Sequence, residues 1–226
     1  MVFSQDNAFQ ISSQADADAL SGCSYLHGGI NVSNYTEQTL LLHGINTIEG
    51  SLIISYSDLV NVSTLDLGEI DGSLTLRDMR SLEYANFPAL AKVPHLVFSN
   101  LPALQGFTSN FSASHADVFS VSITETGLSS TSDPGFDLTF PAVGNITLTG
   151  NPHLGQVEFP SLIQVTNSID IFGNGYQNQL PGTNLSFPVL TQCGATGNLN
   201  TFNIQNINNL FTPKLTDRTF SSLQIS

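Results

Sequence analysis

Positive charge is what this chain has least of. Five Lys and Arg residues stand against eighteen Asp and Glu, a formal net charge of −13 over 226 residues. A field of that sign repels phosphate backbones and anionic membrane surfaces, which excludes nucleic-acid binding on electrostatic grounds. Charged residues of both signs make up only 10% of the chain, against roughly a quarter in ordinary globular domains. Ser, Thr, Asn and Gly take their place, a composition suited to many short strands and turns rather than to long amphipathic helices. Hydrophobic runs are short, and none approaches the roughly 20 residues of a membrane-spanning helix. Met1–Asp6 has neither a basic segment nor an apolar one, and Thr219–Ser226 does not read as a lipid-anchor tail. Two readings follow: a cytosolic protein, or a mature domain whose targeting ends have been removed.

The motifs of chemistry are equally sparse. His27, His43, His95, His115 and His153 show no metal-ligand spacing with Cys or Asp, and there is no His-Glu-x-x-His, paired Cys-x-x-Cys or calcium loop. No Gly-x-Ser-x-Gly elbow and no phosphate-cradling glycine loop occurs. The densest acidic group is Asp66, Glu69, Asp71 and Asp78, with Asp71 and Asp78 flanking a strand that carries Arg77. Solvated corners are the expectation there, and a polysaccharide-cleaving cleft the alternative. Neither cofactor nor metal is expected.

What is present is repetition. Phe87-Pro88-Ala89-Leu90, Phe140-Pro141-Ala142-Val143, Phe159-Pro160-Ser161-Leu162 and Phe187-Pro188-Val189-Leu190 are copies of one unit, each followed three residues later by a small apolar residue: Val93, Ile146, Val165 and Cys193. A degenerate last copy reads Phe211-Thr212-Pro213-Lys214-Leu215. Earlier in the chain, Gly28, Gly50 and Gly72 recur every 22 residues, inside the period range of solenoids. Each precedes an alternating strand whose inward residues are Ile30 and Val32, Leu52 and Ile54, Leu74 and Leu76. The glycines are read as tight corners. Ser13, with Asp16 three residues on, predicts the start of a short capping helix that Gly22 ends in the left-handed conformation. Register blurs between Phe107 and Pro134, where Ser114–Ile123 still alternates as a strand but Ser129–Gly135 reads as an inserted loop.

The expected fold is therefore all-β: a right-handed β-solenoid with a short N-terminal helical cap. Residues 1–10 form a flexible N-terminus, 11–226 a single solenoid domain, with the cap over 13–22 and coils over 26–215. Stacked strands lie about 4.8 Å apart, so Cys23 beside the cap and Cys193 many coils away are too distant for a disulfide. Both are expected as unpaired thiols, with Cys193 in the core. Asn31, Asn34, Asn61, Asn110, Asn145 and Asn184 each open an Asn-x-Ser/Thr sequon, of consequence only on a secretory route. Asn145, near a strand start, ranks below Asn34 and Asn184 for occupancy. Along the main sheet the outward positions read Asn31, Ile53, Thr75, Val97, Thr147 and Asp170, with too few threonines for an ice-binding face. Ile53, Thr75 and Val97 are candidates for an interaction face.

The run Ile11–Leu20, then Cys23 and Gly29-Ile30-Asn31-Val32, resembles the start of the fungal cell-wall organisation proteins of the sporulation-specific type. The Gly-Ser-Leu strands and Phe-Pro segments carry that resemblance to Leu215. It implies a receptor L-domain-like, leucine-rich-repeat-like solenoid of a GPI-anchored glycoprotein, secreted to the cell wall or surface. Its role would be non-enzymatic wall organisation, with a glycan or a surface protein bound on a solenoid face and a membrane link only through an anchor not contained in this sequence. A secreted polysaccharide-active enzyme on the same scaffold and an intracellular interaction scaffold are the alternatives.

Overall fold

The computed structural model describes residues 8–111, 120–131, 138–174, 183–193, 201–204, 207–211 and 223–225. Within them lie one short helix, Gln14–Asp18, and parallel strands arranged as a β-solenoid. The main sheet stacks Phe9–Ile11, Ile30–Ser33, Leu52–Ser55, Ser73–Arg77, His95–Leu101, Ser120–Thr126, Ala142–Thr149, Gln164–Phe172, Thr201–Ile204 and Leu223–Ile225 in chain order. Gln192–Cys193 pairs beside this path, aligned with Gln164 and Val165. Shorter parallel ladders close the other sides of the coils. One joins Thr39–Leu42, Asn61–Thr64, Tyr84–Asn86 and Gly106–Thr108, and another joins Tyr25–Leu26, Thr47–Ile48 and Glu69–Ile70. A third, in the later coils, joins Gln156–Glu158, Thr183–Ser186 and Ile207–Phe211.

Register explains the stacking. Ile30, Leu52, Leu74, Leu96, Val121, Ile146 and Ile169 align one above another, all buried, because each coil places the same alternating residue inward. A one-residue slip in any coil would turn this column to solvent. The Phe-Pro units supply a second column. Phe87, Phe140, Phe159 and Phe187 are fully buried, as are Leu90, Leu162 and Leu190. Phe107 and Phe111 fill the gap where the repeat fades, so that ring centroids follow one another at 5.4–6.5 Å from Phe87 to Phe187.

Several sequence expectations need correction. Phe9 and Gln10 are not a flexible lead: they form a strand in register with Ile30 and Asn31. The helix has the expected Ser13 N-cap and Asp16 capping box, but it ends at Ala19, and Gly22 is not left-handed. Gly50 and Gly72 are not needed for a turn dihedral. A Cβ on Gly50 would lie 2.6 Å from Gly29 N, and one on Gly72 would lie 2.7 Å from Gly50 O, so glycine is demanded by the close approach of the neighbouring coil. Ser129–Thr131 are not loop: Ser130 bridges to Gln156, and Thr131 Oγ1 accepts a 2.7 Å hydrogen bond from Glu158 N. The rest of that proposed loop lies outside the described residues. Within the stretch of blurred register, the strand read through Ile123 is present, with Ser120–Thr124 aligned to both neighbours.

The true corner follows the main strand, and sequence gives no uniform sign of it. Asn34, Tyr56, Asp78, Asn100, Glu125, Gly150 and Gly173 all have φ between +50° and +65°, one per coil. The next residue turns inward each time, as Tyr35, Ser57, Met79, Leu101, Thr126, Asn151 and Asn174, all buried. An L-residue in this conformation costs about 1–2 kcal/mol, while glycine adds about 0.5–1 kcal/mol of chain entropy. Glu125→Gly is therefore expected to stabilise by about 0.5–1 kcal/mol, raising the thermal midpoint by roughly 1–3 °C in a chain of this size. Differential scanning calorimetry checks this, and a lowered midpoint contradicts it.

The cap also closes a sheet edge. The Gln14 side-chain amide donates to Leu41 O at 2.8 Å and accepts from Leu41 N at 3.0 Å, pairing the outermost strand Thr39–Leu42 as another strand would. Beneath it Tyr35 is buried, its hydroxyl 3.1 Å from Thr39 O and 3.2 Å from Gln14 Oε1. Burial, then the nearby Glu37, Asp18 and Asp16, push its phenol up to about 12. The ordinary value is near 10, so above that pH the unfolded chain loses this proton while the folded chain keeps it. Stability present below pH 10 is thus lost as pH rises toward 12. Tyr35→Phe is expected to be less stable at neutral pH and to show a shallower loss over that window, measured by urea midpoints at pH 8 to 12.

Candidate interaction face

The outward side of the main sheet is the longest strand face among the described residues. Ile53, Thr75 and Val97 stand in one column, half-buried, and the column continues through Ser122, Thr147 and Asp170. Ser122 was missed in sequence because its coil follows the stretch of uncertain register. Two flanking columns were missed as well: Ser73, His95, Ser120, Asn145 and Ser168 on one side, Ser99, Thr124 and Thr149 on the other. Period-two alternation was the available signal. It yields columns only once each strand is assigned its partner.

Charge is scarce on this face. Arg77 lies at one end, 5.8 Å from the Tyr56 ring, and Asp170 at the other, its carboxyl raised above the usual range by burial and partly restored by Asn203. Between them, apart from Val97 and His95, the side chains of these columns are hydroxyls and amides. His95 Nδ1 contacts Ser120 Oγ at 2.8 Å, and Ser168 Oγ donates to Asn145 Oδ1 at 3.0 Å. At the corner beyond Ser99, Thr124 and Thr149 runs a groove lined by Asn100, Glu125, His153 and the rings of Pro102 and Pro152.

The two acids that flank the Arg77 strand do not assemble a catalytic pair. Asp71 and Asp78 lie beyond opposite ends of Ser73–Arg77, about 20 Å apart at roughly 3.3 Å per residue, against at most about 9.5 Å for glycosidase acid and base groups. Asp71 instead accepts a 3.0 Å hydrogen bond from Lys92, which also pairs with Glu69. Those two carboxylates, Glu69 first, hold Lys92 well above the ordinary ammonium range. Nearby, Glu49 lies 2.7 Å from His27 Nδ1 and accepts from the Tyr25 hydroxyl at 2.8 Å, contacts that keep its carboxyl below the usual value. Each acid here is paired within its own corner. Among the described residues no group of three His, Cys, Asp or Glu is placed to hold a metal ion. His115 lies outside those residues.

The sequons divide by geometry. Asn34, Asn110 and Asn184 are exposed. Asn31 donates from Nδ2 to Gln10 Oε1 at 3.0 Å, Asn145 is engaged by Ser168, and Asn61 is half-buried in the second ladder. Cys23 is a free, half-buried thiol. Cys193 occupies the backbone position next to Val165, and its side chain lies outside the described residues.

Stacked parallel strands, inward columns and a helical cap define the class of protein: a β-solenoid with one long, nearly uncharged face. The chain is similar to three curated fungal proteins. They are protein ecm33 of Aspergillus fumigatus, 28% identical over 80% of this chain, a cell surface GPI-anchored protein of Arthroderma benhamiae, 29% identical over 82%, and cell wall protein ecm33 of Schizosaccharomyces pombe, 26% identical over 82%. These matches cover 46%, 47% and 52% of the relatives, so the chain spans about half their length. No family model matches. No solved structure matches. The resemblance read from the cap and the repeats thus has its counterpart in relatives named for the cell wall and the cell surface.

Proposed function

We propose that this chain is a non-enzymatic protein of the fungal cell wall or cell surface, acting by recognition on the outer face of its main sheet. The observation that carries this reading is the face itself: an aligned surface rich in hydroxyls and amides, while Glu69 and Asp71 are held by Lys92 and Glu49 by His27 and Tyr25. The names of the relatives support the location and a GPI-linked context. Both thiols are free on this reading. N-glycans are carried on the exposed Asn34, Asn110 and Asn184, while the half-buried Asn31, Asn61 and Asn145 remain unmodified, because the glycosylating enzyme must reach the side chain.

Expression of the tagged natural gene product in a fungal host tests this. Recovery in the wall fraction, with glycans mapped to the three exposed sequons and no release of reducing sugar from wall polysaccharides, is the expected result. Recovery in the cytosol without glycans would sink the location, and turnover abolished by Asp71→Asn would establish the enzymatic alternative.

A further inference from the structure

The proposed recognition face has a more specific chemistry. Ser99, Ser122, Thr147 and Thr149 lie on three consecutive strands of the main sheet, half-buried and pointing outward. Their hydroxyls make no hydrogen bond within the described residues, although several neighbours on the same face do. A hydroxyl is both donor and acceptor, and one left free on a rigid sheet stays matched only to water or to a ligand. No charged side chain interrupts these positions. In a chain of net charge −13, an uncharged patch admits a neutral ligand without the repulsion an anion meets.

The patch also has an end. Ser99, Thr124 and Thr149 lead directly into the corner residues Asn100, Glu125 and Gly150, and the groove there is walled by Pro102, Pro152 and His153. A flat array of donors and acceptors running into a groove with one carboxylate and one amide suits an extended ligand whose own surface is hydroxyl throughout.

We infer that this patch binds a neutral, hydroxyl-rich polysaccharide, the chain crossing Ser122 and Thr147 and entering the groove past Thr149. The inference rests on the recognition reading above and names its ligand class. Binding is multivalent along the polymer, each contact weak and the sum firm. Charge on the ligand abolishes it, and so does a long cation placed mid-patch.

The test is co-sedimentation of the purified chain with insoluble β-glucan particles and with the carboxymethylated form of the same glucan. Retention on the neutral form, at least 10-fold weaker on the anionic one at low salt, is expected. Thr147→Arg, and independently Ser122→Lys, should each reduce retention at least 10-fold with the circular-dichroism melt preserved, while Ser63→Arg on the second ladder leaves it unchanged. Retention unaffected by both face variants overturns the inference, as does absence from the neutral glucan. Recovery in the cell wall by a chain that ignores neutral glucan removes this inference alone and points to a protein on the face. Glucan binding by a chain absent from the wall removes the cellular role and leaves the site.

Discussion

Asn151→Leu is expected to lower the stability of the folded chain by roughly 3–5 kcal/mol, with two or three buried polar groups left unpaired at about 1–3 kcal/mol each. Asn151 is fully buried one residue past a left-handed corner. Its Oδ1 accepts from Thr126 N at 3.0 Å and from Thr126 Oγ1 at 2.8 Å, while Nδ2 donates to Ile123 O at 3.0 Å and to Asn174 Oδ1 at 2.8 Å. Asn174 repeats the arrangement on the following coil, donating to Leu148 O at 2.7 Å. One amide therefore stitches three coils together at the point where the backbone leaves the sheet. Leucine has similar volume and none of these bonds. Urea denaturation measures the loss, and hydrogen exchange should place the weakened protection in Ser120–Thr126 and Ala142–Thr149, since each solenoid coil contacts only its neighbours. A loss under 1 kcal/mol would mean that water replaces the amide.

Phe159→Ala is the second large effect, about 3–5 kcal/mol from lost burial and the cavity left behind. Phe159 lies between Phe140, at 6.0 Å, and Phe187, at 5.4 Å with rings within 5° of parallel. Removing it cuts Phe187 off from the rest of the aromatic column, and the coil spacing set by backbone pairing prevents the neighbours from closing the gap. Ile163→Ala, four residues on and 47% exposed, should cost under about 0.5 kcal/mol. Equal losses for the two variants would mean that Phe159 is not packed in the column.

Much of this was legible in the chain. The Phe-Pro-x-Leu recurrence marks buried positions because the same inward slot must be filled on every coil, and Ile30, Leu52 and Leu74 fall in one column because alternation and a 22-residue period both point to it. Ser13 and Asp16 announce the cap through local chemistry alone. The left-handed corner was not legible. Asn34, Tyr56, Asp78, Asn100, Glu125, Gly150 and Gly173 share a dihedral but no side-chain type, since stacking against adjacent coils imposes a conformation that their local sequence does not favour. Gly50 and Gly72 were found for the wrong reason. The contact that excludes a Cβ is made with a residue more than 20 positions away, so local turn rules misattribute it.

For the candidate face, sequence supplied Ile53, Thr75 and Val97, along with the shortage of charge that makes a neutral ligand acceptable. Composition, period and alternation are properties of single residues and near neighbours, and they determined that the chain coils, which side faces inward, and that its surface is polar without being charged. Tertiary structure decided which residues stand beside one another: that Ser122 belongs between Val97 and Thr147, that Glu69 and Asp71 meet on Lys92 from the next coil, and that the hydroxyl patch runs into a groove. Those are statements about adjacency between coils, fixed by hydrogen-bond register across 21 to 25 residues of chain, and no local pattern carries register over that distance.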